Sequence, residues 1–74
     1  MAKSIFSKDH QLIIQRLKQA REEAGLEQQT VADKLRKTQS YISKIESGQR
    51  RIDIVQLKQF AKLYKKDLSF FLTN

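Results

Sequence analysis

Residues 28–48 of this 74-residue chain read QQTVADKLRKTQSYISKIESG, and this stretch decides the fold. Apolar residues recur at helical spacing on both sides of a short polar interruption, Arg36–Thr38. We predict one helix over residues 28–36 and another that begins at Gln39. Thr38 suits the N-cap of the later helix, because its hydroxyl can accept a hydrogen bond from a first-turn N–H.

The connection between these two helices is only about three residues long. Such a connection, with the helices at a steep angle, is the helix-turn-helix arrangement. Ala32 is small enough for close approach of the two backbones, and Leu35 and Ile42 can pack across the turn. Ile45 continues the buried face one turn later, so the motif spans about residues 28–47.

A longer helix is predicted before the motif, over residues 9–24. Its apolar positions Ile13, Leu17, Ala20 and Ala24 lie on one helical face. Gly25 follows as the stop, since glycine adopts the left-handed conformation at the end of a helix without steric cost.

A fourth helix and a short fifth helix are predicted after the motif. Asp53 and Gln56 have the spacing of a capping box at the start of the fourth helix. A terminal turn or two follows Asp67, and strand signals are weak. The predicted inner face of the fourth helix is Ile54, Leu57, Phe60, Ala61 and Tyr64.

These elements predict an all-α, compact five-helix fold with a central helix-turn-helix. The whole chain, 1–74, is expected to form one domain, with residues 1–8 as a loosely ordered N-terminal arm. The chain shows no internal repeat or linker-like segment.

Composition excludes several functional classes. The chain has one histidine and no cysteine, so we expect no catalytic site, metal or cofactor. It contains no apolar run long enough for a secretory signal or a membrane span, which predicts a cytoplasmic protein. The formal charge of +7 on so small a body favours a polyanionic partner.

The positive charge is concentrated around the motif. Residues 34–51 hold six cations and one acid, a net charge of +5. The outer side of the helix that begins at Gln39 carries donors and acceptors of the kind that read base edges in a major groove. We expect base contacts from Gln39, Ser40, Tyr41 and Lys44. A half-buried packing role for Tyr41 is equally compatible with the sequence.

Residues 28–48, together with the preceding LKQAREEAGLEQ at residues 17–28, resemble the Cro/repressor-type (XRE-like) helix-turn-helix family. The match runs without a gap from Leu17 to about Leu68. It implies a lambda-repressor-like domain that binds double-stranded DNA, usually as a dimer. It also implies a structural ion pair between Arg21 and Glu46.

Phosphate contacts are expected from residues at the start of the second helix and around the third. Gln28 is placed there mainly by the resemblance, with an ordinary solvated residue as the alternative. The predicted phosphate contacts are Gln28, Lys37, Thr38, Ser43, Gln49, Arg50 and Arg51.

The sequence departs from the family pattern at two places. Glu27 stands where the family commonly has Ser or Thr as the cap of the second helix. Arg36 and Lys37 stand where the family often has Gly and an apolar residue. A non-glycine residue in left-handed geometry costs roughly 1–2 kcal/mol. The turn is therefore either mildly strained or different in shape.

The C-terminal segment is rich in large apolar residues. One short helix cannot bury both Phe70 and Phe71 in a small core, so one is expected to be partly exposed. Exposed aromatic residues favour association. We expect a homodimer that forms through Leu68, Phe70, Phe71 and Leu72.

The sequence thus predicts a non-enzymatic, sequence-specific DNA-binding transcription regulator. It would act as a repressor and read a palindromic operator through the major groove. Two alternatives stay open. One is an antitoxin that represses its own operon, and the other is an adaptor that uses its basic face on an acidic protein.

Overall fold

The computed structural model describes residues 7–73, and this part of the chain contains five α-helices and no strand. The predicted all-α five-helix fold is confirmed. The helices are α1 (Lys8–Glu23), α2 (Gln28–Leu35), α3 (Gln39–Glu46), α4 (Ile54–Tyr64) and α5 (Ser69–Leu72).

The start of α1 lies earlier than predicted. Ser7 is its N-cap, and the Ser7 hydroxyl accepts a hydrogen bond from the backbone N–H of His10 at 3.1 Å. Ser7 and Lys8 therefore belong to the helix start rather than to the expected arm. Residues 1–6 of that arm lie outside the described residues.

The other helix starts follow the predicted capping chemistry. The Thr38 hydroxyl accepts from the backbone N–H of Tyr41 at 3.1 Å, and Asp53 and Gln56 form a complete capping box. Glu27 occupies the N-cap of α2 but makes no side-chain capping hydrogen bond. Its carboxylate is a poor substitute for a hydroxyl at this position.

The core forms where α1 packs against α3, α4 and α5, and where α2 packs on α3. Twelve hydrophobic residues of the described chain are buried in it. They are Ile14, Leu17, Ala20, Val31, Ala32, Ile42, Ile45, Leu57, Phe60, Ala61, Tyr64 and Phe71.

Three predicted core positions are corrected. On α1 the buried face is centred on Ile14 and Leu17, because α1 contacts both α3 and α5. Ile13 is consequently half-buried, and Ala24, at the end of the helix, is exposed. The buried face of α4 begins only at Leu57, which leaves Ile54 in the first turn 54% exposed.

The ion pair that the family resemblance implied is present between α1 and α3. Arg21 Nε donates to Glu46 Oε2 at 2.7 Å, and a second guanidinium nitrogen donates to Oε1 at 3.2 Å. The third nitrogen donates to the carbonyl of Leu26 at 2.8 Å. The side chains are 13% and 6% exposed, and the hydrogen bond to Glu46 raises the pKa of Arg21. The Arg21 guanidinium therefore stays charged, although both side chains are largely removed from water.

The turn of the motif adopts the strained alternative. Arg36 closes α2 in the left-handed conformation, with φ of 59° and ψ of 44°. The N–H of Lys37 then donates to the carbonyl of Ala32 at 2.8 Å, which completes the helix end. Lys65 ends α4 in the same conformation, with φ of 59°.

The C-terminal aromatic residues divide as expected between core and surface. Phe71 is wholly buried, whereas Phe70 is half-buried and meets Phe71 edge to face. The charged groups of Arg16 and Lys66 lie 5.1 and 4.7 Å from the centre of the Phe70 ring. The Phe71 side chain therefore completes the core of one chain, and Leu68, Phe70 and Leu72 are the residues of the predicted dimer segment that stay at least partly exposed.

We predict that Glu46→Ala lowers the free energy of unfolding by about 3–5 kcal/mol, because it strands the buried Arg21 charge. Chemical denaturation monitored by circular dichroism measures this loss. The matched control is Glu23→Ala, which removes the other ion pair of the described chain, the exposed contact between Glu23 and Lys66 at 2.6 Å. The control should leave the unfolding midpoint almost unchanged, and equal losses in both variants would contradict a special role for Glu46.

Substitution of Arg36 by glycine should stabilise the fold. Relief of the left-handed strain outweighs the extra backbone entropy of glycine, which leaves a net gain of about 0.5–1 kcal/mol. For a domain of this size the melting temperature should rise by a few degrees. Lys65→Gly is the matched comparison and should give a similar gain. A loss of stability in Arg36→Gly would show that the arginine side chain contributes more than the strain costs.

Candidate nucleic-acid interface

One face of helix α3 packs into the core, and the opposite face is exposed to solvent. Ile42 and Ile45 are buried, whereas Gln39, Ser40 and Lys44 are exposed. The three exposed side chains include an amide, a hydroxyl and an ammonium group, and they lie on an eight-residue helix. An α-helix with such a face fits the major groove of B-form DNA.

The first residue of this face is tied to the core through a chain of hydrogen bonds. Gln39 Nε2 donates to Gln28 Oε1 at 2.6 Å, and Gln28 Nε2 donates to Glu46 Oε1 at 3.0 Å. Glu46 in turn binds Arg21. The amide of Gln39 is thus oriented by the ion pair between α1 and α3, through a single intermediate side chain.

Gln28 is half-buried at the N-terminal end of α2, and its amide participates in both of these bonds. Its side chain is therefore already engaged within the protein. Because the Glu27 side chain makes no capping bond, the first-turn N–H groups of α2 keep their capacity to bind an anion. A phosphate contact at this helix end can use the backbone as well as the side chain.

Tyr41 occupies a central position beside the exposed face of α3. It is half-buried, and its hydroxyl accepts a hydrogen bond from Gln56 Nε2. The charged groups of Lys37 and Arg50 lie 5.0 and 4.8 Å from the centre of its ring. Tyr41 therefore packs against the core, which is one of the two roles that the sequence left open.

The segment after α3 folds back over the end of the helix. The backbone N–H groups of Gln49 and Arg50 both donate to the carbonyl of Lys44, at 2.9 and 3.2 Å. Gly48 permits this reversal with φ of 83°. Gln49, Arg50 and Arg51 are all exposed, and their position next to α3 places two cations at the edge of the candidate reading face.

The remaining predicted phosphate contacts differ in availability. Lys37 and Thr38 are exposed in the turn before α3, although the Thr38 hydroxyl already caps the helix. Ser43 is half-buried on α3. The predicted set thus surrounds α3 on the N-terminal side, along the helix and on the C-terminal side.

The sequence did not predict the contacts of two residues near this interface, Gln56 and His10. Gln56 was interpreted only as part of a capping box, yet its amide also binds Tyr41 across to α3. His10 is half-buried, and its Nε2 is buried without a hydrogen-bond partner among the described residues. It lines a cleft with Arg50, Arg51 and Gln56. Both positions depend on contacts distant in sequence, which helical periodicity does not reveal.

The described residues contain no cluster of acidic, histidine or cysteine side chains that could hold a metal ion. Across the same residues, no helix combines the length and the apolar character needed to cross a membrane.

Comparison with known proteins gives one match. A family model described as helix-turn-helix, of the XRE type, matches residues 17–71, which is well over half of the chain. No curated protein and no solved structure matches. The matched region contains the Arg21–Glu46 pair, both helices of the motif and the core residues of α4 and α5. Proteins of this family are DNA-binding transcription regulators and are typically not enzymes. The chain therefore belongs to the XRE-type helix-turn-helix family and is a DNA-binding transcription regulator.

Proposed function

We propose that this regulator recognises a specific DNA sequence by inserting α3 into the major groove, where Gln39, Ser40 and Lys44 contact base edges. The observation that carries the proposal is the exposed polar face of α3, whose first residue is hydrogen-bonded through Gln28 to a buried ion pair. A reading side chain with a fixed orientation loses less conformational entropy on binding than a mobile one.

The chemistry of these side chains suggests their base preferences. Glutamine pairs in bidentate fashion with adenine, and lysine donates to the O6 and N7 acceptors of guanine. Gln39 lies at the N-terminal end of α3, the end that enters the groove in helix-turn-helix complexes. Gln39 is therefore assigned to adenine and Lys44 to guanine.

Phosphate contacts would fix the orientation of the protein on the duplex. The exposed cations Lys37, Arg50 and Arg51 lie at the two ends of α3, and the first turn of α2 offers backbone N–H groups. Gln28, Thr38, Ser43 and Gln49 would add polar contacts. Such contacts position the protein without reading sequence.

We further propose a homodimer on a palindromic operator, with half-sites about one helical turn apart. With Phe71 buried, the dimer surface consists of Leu68, Phe70 and Leu72, of which Leu72 is 49% exposed. A dimer bound over a promoter would act as a repressor because it excludes other proteins from that DNA. This function requires a cytoplasmic location with access to the chromosome.

A second candidate function is an antitoxin that represses its own operon. It is favoured by the exposed apolar side chains of Ile54 and Val55 on α4, which are 54% and 61% exposed. Such side chains suit a protein partner as well as solvent. Co-purification with the product of an adjacent reading frame, lost in Val55→Asp, would support it.

The salt dependence of DNA binding tests the electrostatic part of the proposal. If a dimer neutralises about eight phosphates, log affinity against log salt concentration should have a slope near −7. Fluorescence anisotropy over a range of KCl concentrations measures it. A slope close to zero would contradict phosphate binding by the residues around α3.

Selection of bound sequences from a random DNA pool tests base readout. Gln39→Ala and Lys44→Ala should each relax the preference at one base position per half-site and cost about 1–3 kcal/mol on the preferred sequence. Lys18→Ala, which removes an exposed lysine of α1, is the control for loss of charge. An unchanged sequence preference in both α3 variants would overturn the assignment of α3 as the reading helix.

A further inference from the structure

The ring of Tyr41 lies close to two cations from opposite ends of α3. Lys37 lies in the turn before the helix, and Arg50 lies in the segment after it. The ammonium group of Lys37 and the guanidinium carbon of Arg50 are 5.0 and 4.8 Å from the centre of the same ring. The two charges are therefore no more than about 10 Å apart, although thirteen positions separate the residues in the chain.

The ring itself is held by α4. The Tyr41 hydroxyl accepts a hydrogen bond from Gln56, whose side chain is fixed at the start of α4 by the capping box with Asp53. Gln56 Oε1 accepts from the Asp53 N–H at 3.0 Å, and its Nε2 is left to reach Tyr41. The ring is thus tied to a second helix while it holds the two cations.

Two like charges brought close together repel each other, so their association needs an opposing attraction. The face of an aromatic ring attracts a cation by about 0.5–1 kcal/mol at an exposed site. The ring offers this attraction to both groups. The backbone also favours the arrangement, because the N–H of Arg50 donates to the carbonyl of Lys44 and brings the loop back to α3.

We propose that Tyr41 is a positioning residue that assembles Lys37 and Arg50 into one phosphate clamp beside the reading helix, and that it does not read a base. The clamp binds a single DNA phosphate or two neighbouring ones, and its position sets the depth and register of α3 in the groove. This inference rests on the proposed function, since it assigns a role within DNA binding.

The chain offers a matched pair of substitutions. Tyr41→Phe keeps the ring and removes only the hydroxyl, so the affinity for the selected DNA should stay within about twofold. Tyr41→Leu removes the ring, and the affinity should fall roughly tenfold, the equivalent of two cation–aromatic contacts. The salt slope should become shallower by roughly one to two per protomer as phosphate contacts are lost.

Two further readouts separate positioning from base reading and from loss of fold. The sequences that Tyr41→Leu selects from a random pool should match those of the wild type. The variant with both Lys37→Gln and Arg50→Gln should bind weakly, and adding Tyr41→Leu to it should change affinity by less than twofold. Thermal unfolding of each variant identifies a loss of affinity that follows from loss of structure. If Tyr41→Leu does not fold, the double glutamine variant tests the clamp by itself, because wild-type affinity and an unchanged salt slope in that variant would then overturn it.

The clamp would be overturned by any of three results: a changed base preference in Tyr41→Leu, an unchanged salt slope in that variant when folded, or a tenfold further loss when Tyr41→Leu is added to the double glutamine variant. Failure of the proposed function has a different signature. A wild-type protein that binds selected and scrambled duplexes equally overturns sequence-specific recognition, whereas normal wild-type recognition with any of the three results overturns the clamp alone.

Discussion

The carboxylate of Glu46 accepts hydrogen bonds from Arg21 on α1 and from Gln28 on α2 while it belongs to α3. Three helices are therefore joined at one buried, charged group. An ion pair removed from water is costly to form and contributes little net stability, but it tolerates few geometries. Its value here is geometric, because it fixes the position of α3, the proposed reading helix, relative to α1 and α2. The orientation of Gln39 follows from the same group through Gln28.

A second constraint acts at the ends of α3. The proposed phosphate binding needs cations close to α3, yet like charges repel each other at short distance. Arg36 occupies a left-handed backbone position that glycine would adopt without strain. Tyr41 lies between Lys37 and Arg50 in the sequence, and its ring is close to the charged groups of both. The strained backbone position of Arg36 thus lies beside the proposed DNA interface.

Most of the fold could be predicted from the sequence because helix ends carry local chemical signals. The caps at Thr38 and Asp53 and the left-handed glycine Gly25 involve atoms within a few residues of each other, and all three lie where predicted. The ion pair was predicted only from the family resemblance. Its two residues are 25 positions apart, and the helical periodicity of the sequence gives no sign of a contact over that distance.

The errors share a physical cause, which is packing between elements distant in sequence. Ile13 and Ile14 are adjacent, and only the positions of α3 and α5 decide which one is buried. The burial of Phe71 and the contact of Phe70 with Arg16 depend likewise on how α5 lies against α1. Within the site, the exposed face of α3 was predictable from its polar residues, but the bonds from Gln28 to Gln39 and from Gln56 to Tyr41 were not.

The central claim about the site is that the buried ion pair orients the side chain of Gln39, the proposed reading residue, through Gln28. A double-mutant cycle on selected operator DNA, with Gln28→Ala, Gln39→Ala and the double variant, measures the coupling between these residues directly. Side chains in contact usually show coupling energies of about 0.5–3 kcal/mol. We predict a coupling of at least about 1 kcal/mol, with Gln28→Ala weakening the same base preference that Gln39→Ala removes. Additive losses, with the base preference intact in Gln28→Ala, would contradict the claim.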